Sequence, residues 1–379
     1  MHDVPAGSAP LGTLLAAGTF DEGAHPRVRV LLEGLAARGW DVERVVEPLR
    51  FDTRRRVEVL RNPLHLPGFA VALLRAWSRL GPRLAARRRR GPRPRAVVVG
   101  HLGHFDVGLV RLLLRPAPVV LDYLISGAGT AVDRGERGAL KQRALVALDR
   151  FALARADVVV VDTAEHLELL GPDVAARAVV VPVGADARWF AARASAQGPV
   201  RGRPLRVIFF GMLTPLQGAP VIARALRDLG GAVHATFVGT GQDEVAVDEL
   251  LDGVPHVERM PWVTPDDLPA LVAAHDVCLG IFGTGEKAAR VVPNKAYQGA
   301  AAGCLVVTSD TAPQRRAFGE AAVLVPPGDA DALADVLRGL ADDADAFETR
   351  RAAARAWADA RFTAPAVVGD LDVVLRGRA

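Results

Sequence analysis

The chain is poor in sulfur, aromatics and lysine. Its 379 residues include 2 cysteines, 3 methionines and 2 tyrosines, with only 5% aromatic residues. Two cysteines, Cys278 and Cys304, are too few for a disulfide scaffold or a structural zinc site. No apolar run approaches the roughly 18–20 residues that span a bilayer. Residues 1–10 lack the basic start and apolar core of a secretory signal, so a reducing cytoplasm is the expected compartment. A chain that is 50% hydrophobic and 24% charged is neither disordered, collagen-like nor a coiled coil. At roughly 100–200 residues per domain, its length suggests two domains.

Charge is unevenly spread. The net charge is +4, yet between Arg50 and Arg95 about 14 arginines face only Asp52 and Glu58, leaving about −8 for the rest. Almost every basic residue is arginine; the lysines are Lys141, Lys287 and Lys295. Two of these three fall in one short stretch.

Short β-rich apolar runs alternate with helical patterns through the first half. Predicted strands lie at 13–17, 41–45, 96–100, 118–122, 157–162 and 178–182, with helices at 27–38 and 140–154 among those between. Runs such as Val97-Val98-Val99 and Val158-Val159-Val160-Val161 suit parallel strands buried on both faces. Gly, Ala, Arg and Pro then interrupt the rhythm. A second series has strands at 205–210, 235–239, 277–281, 304–308 and 322–325. Its helices are expected at 219–229, 265–274, 294–302, 329–340, 344–362 and 364–375. The expected fold is α/β, with two doubly wound Rossmann-like domains facing a cleft. The predicted boundaries are 1–190, a linker at 191–204, 205–362, and a helix at 363–379 crossing back to the first domain.

Ligands of such sheets bind beyond the carboxyl ends of the strands, so the loops there carry the chemistry. The first strand runs into Gly18-Thr19-Phe20-Asp21-Glu22-Gly23, without Gly-x-Gly-x-x-Gly spacing, and no Walker A loop occurs. An NAD enzyme or P-loop NTPase is disfavoured. In the second half, Gly211-Met212-Leu213-Thr214-Pro215-Leu216-Gln217-Gly218 and Gly239-Thr240-Gly241 each follow a strand. Their glycines let backbone N–H groups approach an anion. A third loop, residues 282–295, contains Glu286, Lys287, Arg290, Pro293, Asn294 and Lys295 and enters a small-residue helix. With Asn294 as expected N-cap, helix dipole and up to three cations point to a diphosphate site. A solvated basic loop is the plainer alternative.

From Leu205 to about Phe362, these motifs and their order resemble the C-terminal domain of glycosyltransferase family 4, which has the GT-B fold. The resemblance also takes in Met260-Pro261-Trp262-Val263, Pro293-Asn294-Lys295, Gly303-Cys304-Leu305-Val306-Val307-Thr308 and Val325-Pro326-Pro327-Gly328-Asp329. It implies transfer of a sugar from a nucleoside-diphosphate sugar to an acceptor held by the first domain: a lipid-linked glycan, a polysaccharide or a small natural product. By resemblance, Trp262 and Val263 would meet the base. Gly211, Gly239, Gly241 and the Lys295 helix entrance would meet the diphosphate, flanked by Thr214, Gln217 and Gly218. The family is retaining, and a leaving diphosphate stabilised by positive charge and helix dipoles requires no metal, so no cofactor is expected. This chain departs from the pattern, carrying Met212 and Gln217 where Arg and Lys are usual. The paired glutamates become Arg290 and Gln298. Gln298 can still bond ribose hydroxyls, Glu286 lies one turn before Arg290, and Lys287 and Arg290 can add charge. Retention or inversion is left open by these changes.

Acceptor activation is expected from His25, His104 and Asp106 at strand ends of the first half, with His101 and Asp122 as further candidates. His104 and Asp106 could instead simply cap the following helix. Residues 64–90 combine arginines with Phe69, Leu73, Leu74, Trp77 and Leu80. They suit either a peripheral contact with an anionic membrane at the inner face or packing on the first domain. Nucleic-acid binding is not expected, because interleaved aromatics and a recognisable module are missing. Two other functions share the expected fold: a sugar-nucleotide epimerase, which needs no acceptor, and a silent sugar-nucleotide sensor or scaffold.

Overall fold

The computed structural model describes residues 11–23, 25–49, 66–101, 103–124, 126, 129, 138–195 and 202–378. The chain divides into two compact units, Met1–Val181 with Val368–Ala379, and Pro182–Val367.

In the first unit the order is β1 (Thr13–Gly18), α1 (Pro26–Ala37), β2 (Asp41–Val46), α2 (Leu66–Arg90), β3 (Ala96–Val99), α3 (Asp106–Leu114) and β4 (Val119–Asp122). It continues with α4 (Ala139–Leu153), β5 (Val158–Val161), α5 (Ala164–Glu168), α6 (Pro172–Ala175) and β6 (Ala178–Val180). The strands form one parallel sheet ordered β2-β1-β3-β4-β5-β6. β3, β4 and β5 are buried at every position, as their unbroken apolar runs require. α2 lays Leu73, Ala76, Leu80 and Leu84 into the core, while Arg79 and Arg83 pair with Glu47 and Arg87 with Glu43. Its apolar stripe is thus largely used in packing, although Val71 and Leu74 stay exposed. Residues 64 and 65 lie outside the described residues.

The second unit runs α7 (Ala187–Ala191), β7 (Leu205–Phe210), α8 (Ala219–Asp228), β8 (Val233–Val238), α9 (Glu244–Leu251), β9 (Val257–Met260), α10 (Leu268–Ala273) and β10 (Val277–Leu279). It ends with α11 (Asn294–Ala301), β11 (Leu305–Ser309), α12 (Ala312–Phe318), β12 (Ala322–Val325), α13 (Ala330–Asp342), α14 (Ala344–Arg361) and α15 (Ala364–Val367). Its parallel sheet is ordered β12-β11-β10-β7-β8-β9. α16 (Gly369–Gly377) then returns to the first unit, where Asp372 accepts from Arg38 and Trp40. Ahead of β10, buried Asp276 accepts from Arg203, Arg351 and the Arg206 amide, tying α14 to the sheet. Among the described residues, no helix is long and apolar enough to cross a membrane.

Several elements differ from the sequence expectations. The first unit closes at Val181, so α7 and the 3-10 turn Ala192–Ser195, spanning the expected boundary and linker, pack with the second unit. β9 was not expected; this edge strand carries Glu258 and Arg259 and so lacks an apolar run. The helix expected at 364–375 is two helices, α15 and α16, separated at Val368. Asn294 is not the N-cap of α11: Pro293 holds that position in extended conformation, and Asn294 opens the helix. Cys304 sits one residue before β11. Both cysteines are buried free thiols.

Candidate active site

Each sheet has a topological switch point, between β7 and β10 in the second unit and between β1 and β3 in the first. Chain direction reverses its lateral progress there, opening a crevice beyond the strand ends.

At the second-unit switch point, three loops interlock. Leu213 N–H donates to Thr240 O at 2.9 Å, and Phe282 N–H to Gln217 O at 2.9 Å. Gly239 (φ +135°) faces Gly211 so closely that a Cβ would stand 1.9 Å from Gly211 O. A Cβ on Gly283 would lie 2.4 Å from Pro215 O. These two glycines are required by backbone-to-backbone approach.

Lys295, in the first turn of α11, is 5% exposed. Its Nζ donates to Gln217 Oε1 at 2.6 Å and lies 3.6 Å from the Phe209 ring centroid. It also sits over Gly211, where a Cβ would be 3.1 Å from Nζ. No carboxylate pairs with it among the described residues. Burial pulls its pKa down to about 7. The neighbouring Cys278 thiol is pushed up to about 12 by burial and so brings no negative charge. An amide and a ring face are weak partners for a buried ammonium. The site is therefore charge-deficient and suited to an anion. The α11 N-terminus adds to this, since Pro293 offers no side-chain cap.

The other expected donor residues surround this centre at varying depth. Gln298 is buried one turn further along α11. Thr214 opens the short turn Pro215–Gln217, and Gly218 follows it in the left-handed region. Gly241 bridges to Leu213. Trp262 is 68% exposed, in the segment after β9, with Val263 half-buried beside it. Lys287 precedes the short 3-10 turn Ala288–Arg290, and Arg290 ends it. Glu286 is exposed and paired with Arg290 at 3.0 Å, so it does not stand as an isolated carboxylate.

At the first-unit switch point, the His25 and His101 rings meet edge to face with centroids 3.8 Å apart. Beneath β4's end, Arg27 Nε donates to Asp122 Oδ1 at 2.8 Å and Nη1 to Val181 O at 2.9 Å. Arg27 Nη2 and Asp122 Oδ2 are buried without a hydrogen-bond partner among the described residues. Burial raises the Asp122 pKa, with Arg27 opposing, Asp162 adding to the rise and His25 opposing. His104 and Asp106 lie deeper. His104 is buried, its Nε2 3.1 Å from Asp149 Oδ1 but outside hydrogen-bond alignment. Asp106 accepts from Thr19 N at 2.7 Å, Thr19 Oγ1 at 2.9 Å and Trp77 Nε1 at 2.8 Å. Its carboxylate clamps the β1 loop to α3 and α2. Burial nevertheless raises its pKa, against these donors. The sequence places Arg27 in the turn into a helix after His25 but gives it no site role, because an arginine at the start of a helix pattern resembles any surface arginine. Only the later strand end reveals its partner.

Comparison with known proteins identifies the class. The family model "Glycosyl transferases group 1" matches residues 204–343, and "Glycosyl transferase 4-like domain" matches residues 22–184. The chain belongs to the group 1 glycosyltransferases and is a nucleotide-sugar glycosyltransferase. No curated protein matches it significantly. Among solved structures, sucrose-phosphate synthase from Thermosynechococcus elongatus is similar at a TM-score of 0.67 and 17% identity, covering 96% of this chain and 98% of that one. Anabaena HepE in complex with UDP-glucose is similar at 0.64 and 15%, covering 97% and 100%. A UDP-forming α,α-trehalose-phosphate synthase from Burkholderia vietnamiensis gives 0.61 and 12%, covering 96% of each chain. These likenesses establish the GT-B fold.

Proposed function

We propose that the second unit binds the diphosphate of the donor at Lys295, and that the first unit presents the acceptor at the His25–His101 edge. The observation that carries this reading is the buried, carboxylate-free Lys295 among three glycine loops. An ammonium held there meets a leaving diphosphate without rearrangement, and such fixed charge acts most strongly on the transition state. The α11 N-terminus and Lys287 extend the positive field, while the Arg290 charge is offset by Glu286. The exposed Trp262 offers a face for the base, with Val263 beside it, and Gln298 offers an amide to the ribose. HepE was solved with UDP-glucose, which makes that the first donor to test.

We propose further that transfer needs no metal and retains the anomeric configuration. The cations named above supply the charge that a divalent ion would otherwise bring. The family's glutamate positions hold Arg290 and Gln298, and Glu286 is tied to Arg290, which leaves no α11-side carboxylate as nucleophile. The acceptor oxygen then bonds to the anomeric carbon on the face the diphosphate leaves, and a departing diphosphate oxygen takes its proton. Activity surviving a chelator and NMR of the product's anomeric centre test the two points. Of the candidates in the first unit, His25 with His101 stands at the switch point, while Asp106 serves as a clamp and His104 lies buried. The membrane contact expected of residues 64–90 narrows to exposed Val71, Leu74 and Arg75, testable by co-sedimentation with anionic vesicles.

The decisive experiment is equilibrium binding of nucleoside diphosphates and their sugars to wild type and Lys295→Ala. Saturable binding of one nucleotide, lost in the variant, is expected. Absence of binding across the panel would remove the donor-site assignment.

A further inference from the structure

Away from both switch points, the first unit holds a cavity of about 280 Å³ at the amino ends of β3 and β4. Leu15 and Leu114 are among its apolar lining, and Arg87, Arg88, Arg93 and Arg115 contribute its polar side chains. Two of these arginines have structural work. Arg87 pairs with Glu43 and donates to Pro92 O at 3.0 Å, and Arg88 donates to Leu113 O at 2.9 Å. Both therefore satisfy carbonyls at or near the ends of α2 and α3. The side chains of Arg93 and Arg115 make no hydrogen bond or ion pair with any described residue.

Helix capping explains the first two arginines and not the second two. The C-terminal ends of α2 and α3 also meet here, each bringing roughly half a negative charge. Four guanidinium groups outweigh those ends together with Glu43 and Asp41, the two carboxylates that act on Arg87, leaving the cavity at about +1. Like charges gathered around a partly apolar hollow repel one another unless an anion enters. Guanidinium forks match phosphate oxygens in geometry as well as charge.

We propose that this cavity is a second anion site, distinct from the donor site, that takes a phosphoryl group through Arg93 and Arg115. The group can belong to a free phosphorylated small molecule or to an anionic lipid headgroup, which share this chemistry. The site requires nothing of Lys295, so the two assignments stand or fall separately.

The test titrates inorganic pyrophosphate into the full-length protein by calorimetry, as wild type, Lys295→Met, the double variant Arg93→Gln/Arg115→Gln and the triple variant that combines all three substitutions. Both arginine side chains are exposed, so the double variant should fold, as circular dichroism checks. Pyrophosphate should bind Lys295→Met saturably, and adding the double substitution to that background should weaken binding at least about tenfold. A parallel arm sediments wild type and the double variant with phosphatidylglycerol vesicles and with phosphatidylcholine controls. Loss confined to pyrophosphate identifies a soluble ligand; loss confined to phosphatidylglycerol identifies a headgroup. The proposal is overturned if neither probe binds, or if the double variant binds both as the parent proteins do.

Discussion

At the residue scale, Lys295 concentrates the cost and the use of the candidate site. A buried ammonium facing only Gln217 and Phe209 is a destabilising element of the empty protein. Lys295→Met keeps the volume and discards the charge. The variant should melt no lower than wild type, and higher at neutral pH, while donor affinity falls about a hundredfold, as loss of a charge-assisted bond of ~3 kcal/mol implies. Calorimetric melting and nucleotide-sugar titration read the two effects together. The pH dependence follows from the same burial. With its folded pKa pulled down to about 7, Lys295 binds fewer protons folded than unfolded between there and its ordinary value. Its penalty on folding is therefore greatest below pH 7 and fades as pH rises. Donor binding runs the opposite way, because the diphosphate needs the charged form. Affinity for a nucleotide sugar, which has no phosphate ionisation in this range, should decline as pH rises above 7. Binding at pH 7.5 should take up a fraction of a proton, visible as a buffer-dependent binding enthalpy. A flat affinity from pH 6 to 9 would contradict the assignment.

The first unit makes the corresponding residue-scale prediction at the proposed acceptor edge. His25→Ala and His101→Ala should each lower kcat about a hundredfold, the scale on which misplacing a reacting hydroxyl slows transfer, while the donor KM changes little. Steady-state kinetics with varied donor checks it. An equal loss in Asp106→Asn should instead accompany a fall in melting temperature, since that carboxylate holds Thr19 and Trp77.

At the element scale, the site is a product of loop interlock and strand anchoring. Asp276 fixes the start of β10 by accepting from Arg203 and Arg351 with no exposure of its own. Asp276→Ala strands a buried Arg351 and should cost about 3–5 kcal/mol, measured by denaturant unfolding. Donor binding should weaken with it, because β10 leads into the loop that reaches Lys295. Most of this arrangement was legible beforehand. Continuous valine runs reported β3 and β5, and glycines at strand ends reported the loops. Lys295 stood out in a chain that otherwise uses arginine. What could not be read was pairing across distance: Arg27 with Asp122, and the choice of His101 over His104 as His25's neighbour. Such contacts depend on strand order, and local periodicity carries no trace of it. β9 escaped for a local reason, since an edge strand with Glu258 and Arg259 has no buried face to announce.

At the scale of the whole molecule, the first unit is completed by the last helix of the chain. α16 buries Leu371 and Leu375, and its Asp372 accepts from Arg38 Nε at 2.8 Å, Trp40 Nε1 at 2.7 Å and Arg376 Nε at 2.9 Å. Burial alone would raise the Asp372 pKa, but the donors from Arg376, Arg38 and Trp40 together bring it below the usual carboxylate value. A depressed folded pKa stabilises above the ordinary carboxylate pKa and is lost as pH falls through the folded value. Asp372→Ala should therefore destabilise the first unit at neutral pH by about 2–4 kcal/mol, with the loss shrinking below pH 3.8. Calorimetry provides the check, because the substituted contacts all lie within one unit. The transition belonging to residues 11–181 should move down in temperature, while that of residues 182–367 stays in place. Nucleotide-sugar affinity, which the proposed donor site assigns to the second unit's Lys295, should survive the substitution. If both transitions shift together, the C-terminal helix supports more than the unit it completes.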